Sequence, residues 1–137
     1  MEISEAVEFV RRNHRGVLAV TRADGKPQMS PVSGTVNQDG LVVVSSRETA
    51  YKVRSLQARP YAAYCGFADQ FFGQPWVQIE GPARIVPLPD AMEQLVDYYR
   101  SISGEHPDWD DYRAAMERDR RVLIAITPER VGPSVQG

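Results

Sequence analysis

A mainly β fold with peripheral helices, built as a small closed or partly open antiparallel barrel of six strands, is what this 137-residue chain predicts. Three observations lead there. Apolar or alternating runs recur at hairpin spacing, turn chemistry such as Ala23-Asp24-Gly25-Lys26-Pro27 and Asn37-Gln38-Asp39-Gly40 separates the early ones, and helical periodicity is confined to short insertions. Closing a sheet of this size removes its exposed edges, which favours a barrel over an open layer.

The elements follow in order. Ile3, Ala6, Val7 and Val10 fall on one side at helical spacing, so residues 3–13 read as a first helix with Ser4 as its cap beside Glu5. Residues 16–21 form an apolar strand and 28–36 a second, weakened near Gly34; with residues 41–46 they make a three-strand meander. A helix from Thr49 to Ala58 comes next, with Ala50, Val53, Leu56 and Gln57 inward, and Arg59-Pro60 stops it because the residue before proline is pushed out of the α region. Residues 61–67 and 76–87 are strands, the second bent at Gly81-Pro82. Residues 90–102 and 108–118 are helices, the latter capped by Asp108 after Pro107, and residues 121–127 are the last strand. The whole reads as one domain, 1–137.

Composition narrows the function. Sixteen basic and eighteen acidic residues leave a net charge of -2 with no basic tail or face, which argues against nucleic acid. No apolar run approaches the ~20 residues needed to span a bilayer. Cys65 stands alone, which excludes an intramolecular disulfide, and the charged amphipathic N-terminus is not a secretory segment; a cytoplasmic location is expected. His14 and His106 are the two histidines, and no Ser-His-acid or Cys-His constellation accompanies them. The oxygen-rich run from Glu105 to Asp111 reads as structural rather than metal-binding, since Asp108 caps a helix and Asp110 and Asp111 suit its first turn.

One junction is chemically suggestive. A β-branched strand runs through Ser45 and Ser46 into the helix capped by Thr49, and Lys52 falls in that helix's first turn, where the backbone dipole and free N–H groups favour an anion over a cation. A phosphate held by Ser45, Ser46, the helix N-terminus and Lys52 resolves the mismatch. A solvated basic helix paired with Glu48 resolves it equally well. Lys52 and Arg54 lie about 100° to either side of the buried stripe, so they do not meet one anion together. Gln28 and Ser30 share one strand face and Trp76 and Gln78 another, so a planar ligand could lie between the pairs. A redox ring would also explain the missing catalytic side chains.

These residues bring a family into view. GVLAVTRADGKPQMSPV from Gly16, SSRETAYKVRSLQARPYAA from Ser45, QIEGPARI from Gln78 and, above all, SGEHPDWDDYRAAMERDRRVL from Ser103 resemble the split-barrel, FMN-binding-type superfamily of pyridoxamine 5'-phosphate oxidase. Within it the chain looks like the small deazaflavin-dependent oxidoreductases of actinobacteria, and the Ser103 string tips the cofactor to coenzyme F420, with FMN as the alternative. The resemblance implies a homodimer with each cofactor in a groove between two barrels and a small-molecule acceptor. It implies that Lys52 binds the cofactor phosphate beside Ser45, Ser46 and Thr49, that Gln28 and Ser30 lie near the ring and relay a proton, and that Trp76 and Gln78 act across the interface. Arg54 is implied to assist the phosphate, and Arg54 and Arg59 to meet an acidic tail. No side chain is expected to act as a catalytic nucleophile. Tyr51 stands where the pyridoxamine phosphate oxidases carry a basic residue, and their terminal extensions are lacking, so vitamin B6 oxidation is not expected.

Overall fold

A computed structural model describes residues 1–132. Its elements are α1 (Ile3–Arg12), β1 (Arg15–Thr21), β2 (Pro27–Ser33), β3 (Thr35–Val36), β4 (Val42–Arg47), α2 (Tyr51–Ala58), β5 (Tyr61–Phe67), β6 (Trp76–Val86), α3 (Met92–Ser103), α4 (Trp109–Arg118), β7 (Arg121–Ile126) and β8 (Arg130–Val131). The strands run in the order β2-β1-β5-β6-β7-β4-β3, all pairs antiparallel, with β8 added to β6. No helix is long and apolar enough to cross a membrane among the described residues.

The predicted count of six strands becomes eight, and the ladder is open. The reason is Gly34. The expected strand 28–36 breaks there into β2 and β3, which belong to opposite ends of the sheet although one residue separates them. Gly34 donates its N–H to His14 O at 2.8 Å, and His14 Nδ1 lies 3.0 Å from Gly34 O, so the corner is fixed by the residue just ahead of β1. The predicted meander is therefore not formed: β4 pairs with β3 and β7, not with β2. The two-residue β8 follows a break at Thr127-Pro128-Glu129, too short to show periodicity in the sequence.

At Gly81-Pro82, β6 changes neighbour, pairing with β5 up to Pro82 and with β7 from Ala83. A side chain at Gly81 would collide with Thr127 O, so the crossing requires glycine. Inside the barrel, Leu18, Val20, Val42, Val44, Ala62, Tyr64, Val77, Ile79, Val122, Ile124 and Ile126 meet the inward faces of α1 (Ala6, Val10) and α2 (Val53, Leu56). A second core on the other side of β4 and β7 joins Val43, Leu123 and Ala125 to Leu95 and Val96 of α3 and Tyr112 of α4.

Three helix details differ from expectation. Glu2, not Ser4, precedes α1, with Glu5 Oε1 accepting from its N–H at 3.3 Å. Ala50, not Thr49, is the N-cap of α2, and Gln57 is exposed. Asp108 does cap α4, its Oδ1 accepting from Asp111 N–H at 3.1 Å.

Tyr64 is fully buried between Gly16 and Gly34, and a Cβ on either glycine would run into its ring. Gly34→Ala is expected to cost about 1–3 kcal/mol by overpacking, measured by chemical denaturation. A neutral outcome would show that the corner has slack.

Candidate functional site

Alternation along β4 decides which groups share a surface. Val42, Val44 and Ser46 point into the barrel, while Val43, Ser45 and Arg47 point to the face shared with Leu123 and Arg121, their β7 partners. Ser46 is buried and its Oγ donates to Arg47 O at 3.2 Å, so of the two serines only Ser45 presents its hydroxyl to that face.

Arg47 lies directly opposite Arg121 in the ladder, an unfavourable pairing of like charges. Lys52 joins them. It is half-buried in the first turn of α2, which contains no acidic residue and no side-chain cap. Desolvation, and then the charge of Arg121, hold its ammonium below the ordinary lysine range. Among the described residues the ion pairs involve other arginines, and Glu48 pairs with none of these cations. The self-neutralised basic helix is thus not what forms. The cluster is a surface short of negative charge.

The remaining basic residues of α2 are committed elsewhere. Arg54 Nη2 donates to Thr49 O at 3.1 Å, folding back over the start of its own helix. Arg59 Nε donates to Thr21 O at 2.6 Å, and Ser55 Oγ donates to the same carbonyl at 2.7 Å, so Arg59 ties α2 to β1.

Beyond Val43 the second edge of β4 has no ladder partner, and it faces the free edge of β2. Tyr98 of α3 bridges the gap. Its hydroxyl donates to Ser33 O at 2.6 Å, and the Ser45 N–H lies against its oxygen. Along the rest of the split, Gln28 and Ser30 stand opposite Val20 and Leu18 and so face inward with them. Gln28 Oε1 and Ser30 Oγ are buried with no hydrogen-bond partner among the described residues. An unmet polar atom of this kind costs about 1–3 kcal/mol, so both atoms are poised for a ligand's donors or acceptors.

Trp76 and Gln78 alternate with the buried Val77 and Ile79, opposite Phe67 and Cys65, and so face outward. They lie on the other side of the sheet from Gln28 and Ser30, with β1 and β5 between. A planar ligand held between the two pairs of one chain is therefore not possible.

Arg47, Arg121 and Tyr98 were not among the sequence candidates, because their convergence depends on β4 pairing with β7. Arg121 also borders a hollow of about 840 Å³ with Leu88, Met92 and the Arg113–Glu93 pair. Neither it nor a hollow of about 560 Å³ beneath α3 includes Lys52, Gln28 or Ser30.

The run from Glu105 to Tyr112 is self-contained. Tyr99, His106, Trp109 and Tyr112 stack with ring centroids 5.0–5.8 Å apart, and the Arg100 guanidinium sits 4.9 Å from the Trp109 ring centroid. Glu105 accepts from Arg100 Nε at 2.7 Å and from Trp109 Nε1 at 3.1 Å. The stretch fastens α3 to α4.

The molecule is thus an open antiparallel split barrel with a cationic strand-to-helix junction and unmet polar atoms on β2, the architecture of one oxidoreductase family. The chain belongs to the pyridoxamine 5'-phosphate oxidase family, whose model matches residues 3–134. Its fold is similar to that of the conserved hypothetical protein Rv2991 from Mycobacterium tuberculosis, at 24% identity and a TM-score of 0.80 over 99% of this chain and 85% of that one. It is similar also to an F420 reductase, at 21% identity and 0.70 over 91% and 94% of the two chains. The General Stress Protein 26 from Bacillus anthracis str. Sterne matches at 17% identity and 0.65 over the full length of both.

Because folding weakens the hold of Lys52 on its proton, the unfolded chain binds more protons between its depressed pKa and the ordinary 10.5. Stability rises with pH across that window, and below it the penalty is full. Arg121→Gln is expected to raise the Lys52 pKa, read from its side-chain resonance by NMR; Lys26 is the other lysine. An unchanged value would separate the two charges.

Proposed function

We propose that this chain is a coenzyme F420-dependent reductase that passes hydride to a conjugated, electron-poor small molecule. The carrying observation is the uncompensated charge of Lys52 beside Arg121, together with Gln28 Oε1 and Ser30 Oγ on β2, both unpartnered among the described residues. The resemblance of the Ser103 string to the deazaflavin members and the fold shared with an F420 reductase support this cofactor over FMN. When bound, the deazaflavin supplies a hydride from a ring carbon.

The chain supplies placement. Lys52 and Ser45 hold a phosphate ester, with Thr49 and Arg54 at the same helix end. Gln28 and Ser30 fix the ring edge, and the Ser30 hydroxyl holds a proton for the reduced acceptor. Main-chain groups on the free edges of β2 and β4 add fixed donors and acceptors.

A second copy of the chain completes the site. Trp76 and Gln78 face away from the split, so they border a ring only if it lies against a partner's split. Their face of the sheet is largely apolar and has no helix over it among the described residues: Val17, Ala19, Ala63 and Phe67 are half-buried, Met29 is 66% exposed, and Phe72 in the loop between β5 and β6 is 87% exposed. Its occupant is a second copy, giving a homodimer. The lone, half-buried Cys65 on this face suits a reducing, cytoplasmic setting.

Titration with coenzyme F420 and with FMN, followed by ring fluorescence, tests the cofactor. F420 is expected to bind, and Lys52→Ala to lose about 1.5–3 kcal/mol, roughly 10- to 150-fold; binding of FMN alone would overturn the assignment. Oxidation of reduced F420 by a panel of conjugated acceptors separates an enzyme from a carrier, since saturable binding without turnover would contradict a reductase. Light scattering is expected to give twice the monomer mass, and Met29→Asp to shift it toward one copy. A wild-type monomer would remove the interfacial role of Trp76.

A further inference from the structure

We infer that Arg121 is a direct ligand of the bound phosphate ester, gripping it from the β7 side while Lys52 grips it from α2. The inference rests on the reading of the Lys52 junction as an anion seat and adds a second wall to it.

The geometry is specific. Arg121 opens β7, and its register partner is Arg47, so two guanidinium groups emerge side by side on the face that also carries Ser45. Arg121 Nε is buried and has no hydrogen-bond partner among the described residues. A buried guanidinium N–H without an acceptor is uncommon, since this group is normally desolvated only against a carboxylate, carbonyl or phosphate. The carboxylates nearest by cavity lining are Glu48, Glu93 and Glu117. Glu93 is occupied by Arg113 at 2.6 Å, and neither Glu48 nor Glu117 forms an ion pair with Arg121. Tyr98 and Tyr112 lie beside it and supply packing but no anion. Lys52 faces the same charge and carries no carboxylate of its own.

One tetrahedral anion satisfies all of these groups. A planar fork directs two parallel N–H bonds to two phosphate oxygens, while an ammonium acts as a point charge on a third. Arg47 and the Ser45 hydroxyl are then left to steer and trim.

The probe is inorganic phosphate added to the full chain, with binding measured by calorimetry and by the Arg121 Nε–H resonance. Wild-type protein is expected to bind phosphate with a shift of that resonance. Arg121→Gln should weaken binding at least about tenfold, Arg121→Lys should restore part of it, and Arg113→Gln on the rim of the same hollow should change it less than about twofold. Phosphate binding that is lost with Lys52→Ala but indifferent to Arg121→Gln, or that leaves the Arg121 resonance unmoved, would overturn this inference alone. No phosphate binding by the wild type would overturn the anion seat itself. Should Arg121→Gln fail to fold, the wild-type resonance and Arg121→Lys still decide.

Discussion

The constraint on which the molecule depends is a sheet that does not close. Gly34 turns the chain so sharply that β2 and β3 part to opposite ends of the ladder, leaving an edge of β2 facing an edge of β4. Exposed edges normally invite pairing with another chain. Here α3 holds them at a fixed spacing instead. The Tyr98 hydroxyl on Ser33 O replaces a missing ladder bond, and Thr35 Oγ1 lies 2.8 Å from Ser101 Oγ, fixing β3 to the same helix. The gap is thus held open by a phenol, and its main chain is left unpaired among the described residues.

Electrostatics set the character of the neighbouring corner. Arg121 lies opposite Arg47 of β4 and beside Lys52 of α2, where Glu93 is taken up by Arg113 and neither Glu48 nor Glu117 forms an ion pair with them. Keeping like charges together opposes folding, and the half-buried ammonium of Lys52 adds a desolvation cost. An anion reverses both penalties. Binding and stability are therefore coupled at this corner, as expected for a ligand that recognises only the folded chain.

Much of this was legible in the sequence because it is local. Strand periodicity located β1, β5, β6 and β7 to within a residue or so, and Asp108 announced its helix cap. Lys52 stood out because a lysine in a first helical turn is wrong by a rule that needs no tertiary knowledge. What failed was non-local. The periodicity of residues 28–36 does not reveal that Gly34 sends its two halves to different neighbours, so the meander was an error of pairing rather than of strand content. Gln28 and Trp76 each had a readable face, but the relation between those faces required the order β2-β1-β5-β6. Arg121 gave no signal, since an arginine at the head of a strand is ordinary until Arg47 is found across from it. Arg59 showed its charge in the sequence but not its hydrogen bond to Thr21 O, which depends on α2 packing against β1.

The most direct measurement is a crystal structure of the chain with coenzyme F420 bound. The account predicts the phosphate against the Lys52 ammonium where β4 meets α2, the ring along the split beside Gln28 and Ser30, and Trp76 of a second copy closing over it. A complex in which that junction carries no phosphate while the cofactor binds elsewhere, for example in the hollow beneath α3, would contradict it.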